Sequence, residues 1–432
     1  MERKNVIIIS FDAVSSSELD ELSKMKNFSE LIKNGAVIKN VESIYPSLTY
    51  PAHATIVTGR YPHEHGIINN TFLDVNNNNP DWYWYRRHIK GDTVYDLAIK
   101  KGMTVASILW PVTGRSIITY NMPEIHCNRS WDNQIIKSVL AGSPFYQYDM
   151  NKRFGHIRDG IKEPMLDDFS MEVAKATIKE KKPNLLLLHL IDVDSQKHNF
   201  GTNSKEVKEA LCRHDRRLGE IVATLKECGI YEDTTIIALG DHSQFDVKYA
   251  VRLNSFFKEE GLITVHNNRI DKYKAIAKSC DGSSYIYCKD KDTERKVYAL
   301  LNGLQQRDDS PIKEIYTDNE IMKLGADIKS SFIVEAKKGY YFVDGYEGDL
   351  ICEISNLKED EHKVKACHGY IPTAEDYGTF FVASGKNIKK GVVLEHGKLI
   401  NHGPTIAKLL GLELEDATGT VESRILESEK IS

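Results

Sequence analysis

Along the first half of the chain, short runs of apolar residues alternate with longer stretches in which apolar side chains recur every three or four positions. VIIISF precedes SSSELDELSKMKNFSELIKNG, which reads as one helix with serine at its start and glycine at its end. GDTVYDLAIKKG leads into TVASILW, DFSMEVAKATIKEKKPN into LLLLHLID, and SKEVKEALCRHDRRLGEIVATLKECG into TTIIALGDH. Uninterrupted apolar strands separated by amphipathic helices indicate a mainly parallel sheet covered on both faces. The expected fold is α/β, a central sheet flanked by helices.

Beyond residue 242 the pattern changes. LNSFFKEEGLI predicts a helix, whereas SSYIYCKD and SSFIVEAKKGYYFVDG read as short strands with turns. Residues 243–365 are expected to form an inserted α+β subdomain in a core made of 1–242 and 366–432. YGTFFVASG is expected to return the chain to the parallel core, HGPTIAKLLG to form the last helix, and the polar tail after Leu414 to fray. The run NNNN at 76–79 reads as a loop.

Six polar segments sit where apolar runs end. They contain Asp12 in IIISFDAV, Thr49 in YPSLTYPAH, Asn70 in HGIINN, Asp194 and His198 in DVDSQKH, Asp241 and His242 in ALGDHS, and His368 in CHGY. In open α/β sheets, ligands bind beyond the carboxyl ends of the strands, which is where Asp12, Asp194 and Asp241 fall. Each motif alone is weak, since DxxxH spacing and single histidines are common. Together they offer the N and O donors of two adjacent divalent cations. Carboxylates buried side by side are very costly unless cations compensate them. Thr49, flanked by Pro46 and Pro51, either caps a helix or presents a hydroxyl that neighbouring cations would acidify into a nucleophile. A helix N-terminus there would also favour a phosphate. The combination points to cleavage of phosphate esters.

Composition narrows the partners. With 57 basic and 62 acidic residues the formal net charge is −5, and no long basic run suggests a nucleic-acid or membrane surface. An acidic balance does not forbid anionic substrates, because bound cations reverse the local field. The apolar run near the N-terminus is too short to span a bilayer and lacks a following small-residue cleavage site, so it reads as the first strand. Seven cysteines, at 127, 212, 228, 280, 288, 352 and 367, lack CxxC spacing, which suggests free thiols in a reducing compartment and a cytoplasmic location. Cys367 reads as packing rather than as a ligand.

IIISFDAV, SIYPSLTYPAHATIVTGRYPHEHGIINN, WPVTGR, DVDSQKH, GDHS and HGY, in this order, resemble the alkaline phosphatase superfamily. The resemblance is nearest to its nucleotide pyrophosphatase/phosphodiesterase (type I phosphodiesterase) branch. It covers most of 5–242 and 366–412, and the long TYPAHxTxVTGxYPxxHGIxxN stretch is specific. It implies two zinc ions, one held by Asp194, His198 and His368 and the other by Asp12, Asp241, His242 and the Thr49 hydroxyl. Manganese or iron would suit similar ligands. It also implies that Thr49 attacks phosphorus to give a phosphothreonine, that Asn70 donates to a nonbridging oxygen, and that Tyr50 and Trp110 support a nucleobase. The aromatic and cationic run WYWYRRH at 82–88 offers further contacts. DVDSQKH departs from the branch's usual EPDSxGH, although its Asp and His positions are kept. The implied substrate is a nucleotide-like or other small phosphodiester. A phosphomonoesterase or phosphonate hydrolase on the same core is the alternative, with Arg60 or Arg115 as the extra cation a monoester needs. A non-catalytic metal-dependent binding protein is a more remote one.

Overall fold

The computed structural model describes residues 4–77, 79–357 and 361–428. Its centre is an eight-stranded sheet in the order Val392–Lys398, Gly35–Glu42, Thr379–Gly385, Thr234–Leu239, Asn5–Phe11, Leu185–Leu190, Val105–Ile108, Tyr120–Met122. Successive side chains point to opposite faces of a strand, so each strand feeds two cores. Val6, Ile8, Leu187 and Ile237 pack against the helices Thr49–Thr58, Val94–Lys100 and His402–Leu410. Ile7, Ile9, Leu188 and Ile236 face the helices Met165–Lys181 and Lys205–Glu227. Each such fully buried aliphatic side chain contributes roughly 1.5–3 kcal/mol. The α/β expectation holds.

Three expectations need correcting. Thr379–Gly385 runs antiparallel to both its neighbours, Gly35–Glu42 and Thr234–Leu239, whereas the other pairings in the sheet are parallel. The chain reaches it from His368, which lies at the edge where the neighbouring strands end, so it can only run back across the sheet. The serine-to-glycine stretch after the first strand is two helices, Ser16–Leu22 and Lys26–Lys33. The break lets Leu19 and Leu22, then Phe28 and Leu31, all reach the core. The tail does not fray up to residue 428: Ile425 is fully buried, Leu426 bridges to Ile388, and Thr418 donates its N–H to the Gly59 carbonyl. Residues 429–432 lie outside the described residues, as does Asn78 of the asparagine run.

Between Phe245 and Cys367 the chain builds an antiparallel sheet of Ala275–Cys280, Ser283–Cys288, Phe332–Ala336 and Ile312–Tyr316, and a second four-stranded sheet, of mixed direction, around Phe245–Val251. These share a separate hydrophobic cluster that includes Val251, Phe257, Leu301 and Val334. Among the described residues, no helix is long and apolar enough to cross a membrane. All seven cysteines are free.

Candidate active site

The strand Asn5–Phe11 ends in a sharp turn at Ala13, whose φ of 58° is unusual for a residue with a Cβ. The turn aims the Ala13 N–H at Asp241 Oδ1, 3.1 Å away, and leaves Asp12 beside it. Asp241 and His242 follow the adjacent strand Thr234–Leu239. Asp12 Oδ1 and Asp241 Oδ2 each lie 3.3 Å from His242 Nε2. Neither oxygen has a hydrogen-bond partner, although both are buried. Two orphaned carboxylate oxygens converging on one imidazole nitrogen form a donor set that fits a divalent cation.

Thr49 is the first residue of the helix Thr49–Thr58, every residue of which is buried. Pro51 in the first turn removes an N–H that the helix does not need. Gly59 ends the helix at φ 65°, where a Cβ would meet Pro404 Cδ at 2.6 Å. The Thr49 hydroxyl lies 3.0 Å from His242 Nε2. His53, one turn on, donates from Nδ1 to the Thr49 carbonyl at 2.8 Å and accepts from Ser10 Oγ at 3.0 Å. Asn70 Oδ1 accepts the Tyr50 N–H at 2.9 Å, which frees its amide NH₂ to donate elsewhere.

A second trio adjoins the first. Asp194 and His198 lie one turn apart on the helix Asp192–Phe200, with His198 Nε2 3.4 Å from Asp194 Oδ1. His198 Nδ1 donates to the Ala366 carbonyl at 2.8 Å, which orients Nε2 toward the carboxylate. His368 completes the trio, its ring centred 5.2 Å from that of His198 and 4.6 Å from that of His242. Its backbone is pinned at Gly369, φ 85°, where a Cβ would stand 1.7 Å from the Cys280 carbonyl oxygen. In each trio the ligand-capable atoms lie within 4.8 Å of one another.

The electrostatics of the trios differ. Burial, reinforced by the charge of Asp194, raises the Asp12 carboxyl to about 7. Burial and the charge of Asp12 push Asp241 well up, and burial with the neighbouring His368 pushes His242 well down. In the other trio burial opposes both charges but is outweighed. The His198 imidazole holds Asp194 well below the usual carboxylate range, and Asp194 raises His198 to about 9.

A cavity of about 1450 Å³ opens over Thr49 and is lined by Asp12, Asn70, Asp194, His198 and His368 among others. Asp241 and His242 lie behind this wall, fully buried. The structure thus gathers all eight expected phosphate-site residues. Tyr50 and Trp110 are another matter: both are completely buried and neither lines the cavity. Tyr50 donates its hydroxyl to Glu124 at 3.2 Å. Trp110 packs edge-on against His53 at 4.7 Å, so it supports the residue that holds Thr49. From the WYWYRRH run, Trp82 does reach the cavity, whose lining also includes Tyr148, Phe169, Phe342 and Tyr346. Arg60 is buried against the Lys90 and Asp92 carbonyls, Arg115 lies over the Tyr85 ring, and neither reaches the cavity.

Two residues that sequence reasoning passed over join the site. His189, inside LLLLHL, lies 3.0 Å from Asp12 Oδ2 and 3.2 Å from Glu124 Oε2. Asp281, at the turn between Ala275–Cys280 and Ser283–Cys288, stands 3.4 Å from His368 Nδ1. A polar residue interrupting four leucines and an Asp-Gly turn were the available signals.

A largely parallel sheet carrying two adjoining carboxylate–imidazole trios, one at strand ends with a buried hydroxyl against it and one on a helix and loop beside them, matches the alkaline phosphatase superfamily. Within it, the family model described as type I phosphodiesterase / nucleotide pyrophosphatase matches residues 6–371, and the chain belongs to that family. It is 27% identical over 258 residues to venom phosphodiesterase 2 of Crotalus adamanteus, an alignment covering 57% of this chain and 27% of that protein. The chain thus spans little more than a quarter of the length of that relative. It is 23% identical over 436 residues to a bis(5'-adenosyl)-triphosphatase of Bos taurus, covering 96% of this chain and 80% of that one. The structure of an inactive murine ectonucleotide pyrophosphatase/phosphodiesterase 5 in complex with AMP shares the fold, with a TM-score of 0.67, 17% identity, and coverage of 98% of this chain and 100% of that one.

Proposed function

We propose that this protein is a dinuclear-metal phosphodiesterase or nucleotide pyrophosphatase that works through a covalent phosphothreonine. The observation that carries the reading is the Thr49 hydroxyl at a helix N-terminus, 3.0 Å from His242 Nε2 of one carboxylate–imidazole trio and lining the same cavity as the other. Asp194, His198 and His368 would hold one cation, and Asp12, Asp241, His242 and Thr49 Oγ1 the other. The mixed O and N donors favour zinc, with manganese or iron as substitutes. When bound, the two cations supply the positive charge that acidifies a hydroxyl and neutralises the oxygens of an in-line displacement.

The chain's own residues do the rest. Thr49 Oγ1 attacks phosphorus as the bond to the leaving oxygen breaks, and water then cleaves the Oγ1–phosphorus bond. His53 fixes the Thr49 carbonyl and so the register of the helix end. The free amide of Asn70 donates to a nonbridging oxygen, while the helix N-terminus favours the anion. Trp82 offers a stacking face to a base, worth roughly 1–3 kcal/mol. The AMP bound by the structural relative and the adenosyl triphosphatase among the sequence relatives support a nucleotide diester or anhydride as the favoured substrate. A monoester carries one more negative charge, and neither Arg60 nor Arg115 is placed to meet it.

The test is metal-reconstituted hydrolysis of three chromogenic substrates: the nitrophenyl ester of thymidine monophosphate, bis-nitrophenyl phosphate and nitrophenyl phosphate. The nucleotide diester should be cleaved fastest. A preference for the monoester would place the protein with the phosphatases.

A further inference from the structure

The helix Asp192–Phe200 carries both Asp194 and His198, yet the residue preceding it, Ile191, has no side-chain cap to offer. Its first amides are met from another helix. Asp167, in Met165–Lys181, accepts the Ile191 N–H on Oδ1 at 3.0 Å and the Asp192 N–H on Oδ2 at 3.2 Å. Arg217, fully buried in Lys205–Glu227, donates from Nη1 to Asp167 Oδ2 and Asp192 Oδ2, both at 2.9 Å. Its other nitrogen, Nη2, reaches Asp168 Oδ1 at 2.9 Å and the Pro164 carbonyl at 3.1 Å. Arg213, one turn earlier, grips both oxygens of Asp192 at 2.6 and 2.8 Å.

Glu163, Asp167 and Asp192 are close enough together to hold a cation. The Arg217 guanidinium, however, already bridges two of these three carboxylates and supplies the positive charge a metal would bring. The cluster is therefore a clamp of salt bridges, and neither Asp167 nor Arg217 lines the cavity.

We propose that Arg217 and Asp167 are positioning residues that set the Asp192–Phe200 helix so that Asp194 and His198 meet His368. The proposal rests on the reading of that trio as a cation site. His368 comes from a separate loop pinned at Gly369, so the trio closes only if the helix is held from its other side. A guanidinium bonded to one helix and to the start of another has the fixed fork geometry for this, which lysine lacks.

The experiment compares Arg217→Lys and Asp167→Asn with Asp215→Asn. Asp215 lies on the same helix and clamps a different helix start, through the Asn27 and Phe28 amides at 2.9 and 2.8 Å. Zinc content and affinity are measured by competition with a chromogenic chelator, alongside thermal unfolding and kcat and KM. Arg217→Lys and Asp167→Asn should weaken one of the two zinc ions about 10–100-fold, with kcat falling more than KM rises. Asp215→Asn should lose thermal stability and keep both affinities. If all three variants lose stability but retain both affinities, the network is structural only and the proposal fails. If the wild-type protein binds fewer than two zinc ions, the underlying reading of the site fails instead. Should the two buried variants not fold, Arg213→Gln, at a side chain 23% exposed, should weaken the same zinc to a smaller degree, and unchanged zinc affinity there would overturn the clamp.

Discussion

Asp12, Asp241 and His242 stand at the ends of two adjacent central strands, nearly sealed from solvent, whereas Asp194, His198 and His368 come from a short helix and a loop and face the cavity. Both trios use the same residue types. In the buried trio two carboxylates share the His242 imidazole, which burial keeps neutral, and both carboxyls rise although His189, 3.0 Å from Asp12, partly offsets the rise. In the open trio one carboxylate faces His198, whose raised pKa lets it carry the compensating charge. The first arrangement is frustrated until a cation arrives, and the second is partly balanced already. Similar ligand sets can therefore differ in how much folding stability depends on the metal.

Replacing the group between the trios gives the largest expected effect. Thr49→Ala should lower turnover by about 10⁴–10⁶-fold, the scale seen when a covalent nucleophile is removed, while both cations stay bound. Full activity in that variant would mean that the nucleophile is elsewhere. Next comes a contrast between carboxylates. Asp241→Asn keeps an acceptor for the Ala13 N–H but removes a carboxyl that burial and Asp12 make costly to ionise, so the chelated variant should unfold at a higher temperature than chelated wild type. Asp194→Asn should do the reverse, since it takes the partner carboxylate from half-buried His198. Each shift corresponds to about 1–3 kcal/mol, and both variants should lose much of the stabilisation wild type gains from zinc. Shifts of the same sign in the two chelated variants would abolish the distinction between the trios.

The features legible in sequence are those that end an apolar run. Asp12 and Asp241 stood out because each follows directly on a buried strand, and Asp194 because it lies in the first turn of the helix after one, and strand ends converge on one edge of a parallel sheet. His189 did not, because it lies inside a strand and its partners Asp12 and Glu124 are distant along the chain. Asp281 reads locally as a hairpin turn, and its role appears only where Gly369 brings His368 against that turn. Tyr50 and Trp110 border conspicuous motifs, but the helix carrying Tyr50 is buried on every side, and closeness in sequence said nothing of that. Strand direction was also hidden, since an apolar run such as TFFVASG has no polarity of its own. The docked tail was masked by its composition, with a single fully buried Ile425 anchoring a polar stretch.

The smallest effect, and the finest test of the contrast, is the pH dependence of stability in the metal-free protein. The folded pKa of Asp12, about 7, lies above its ordinary value of 3.8. Its contribution is fully present below that lower value and is lost as pH rises through about 7. His198, raised to about 9 from 6.5, contributes below 6.5 and loses its share as pH rises through 9. Asp194 has the opposite sign: its depressed folded pKa adds stability above 3.8 that is lost in acid. Chelated wild type should therefore lose a few degrees of melting temperature as pH rises, the Asp12 share ending near 7 and the His198 share near 9. Asp12→Asn should reduce the lower part of the slope, leaving what the raised Asp241 contributes, and His198→Gln should reduce the upper part. Zinc should reverse the sign, because its ligands must be deprotonated and binding strengthens as pH rises. Melting curves at several pH values with zinc or chelator decide it, and parallel slopes in the two series would show that the trios do not govern this dependence.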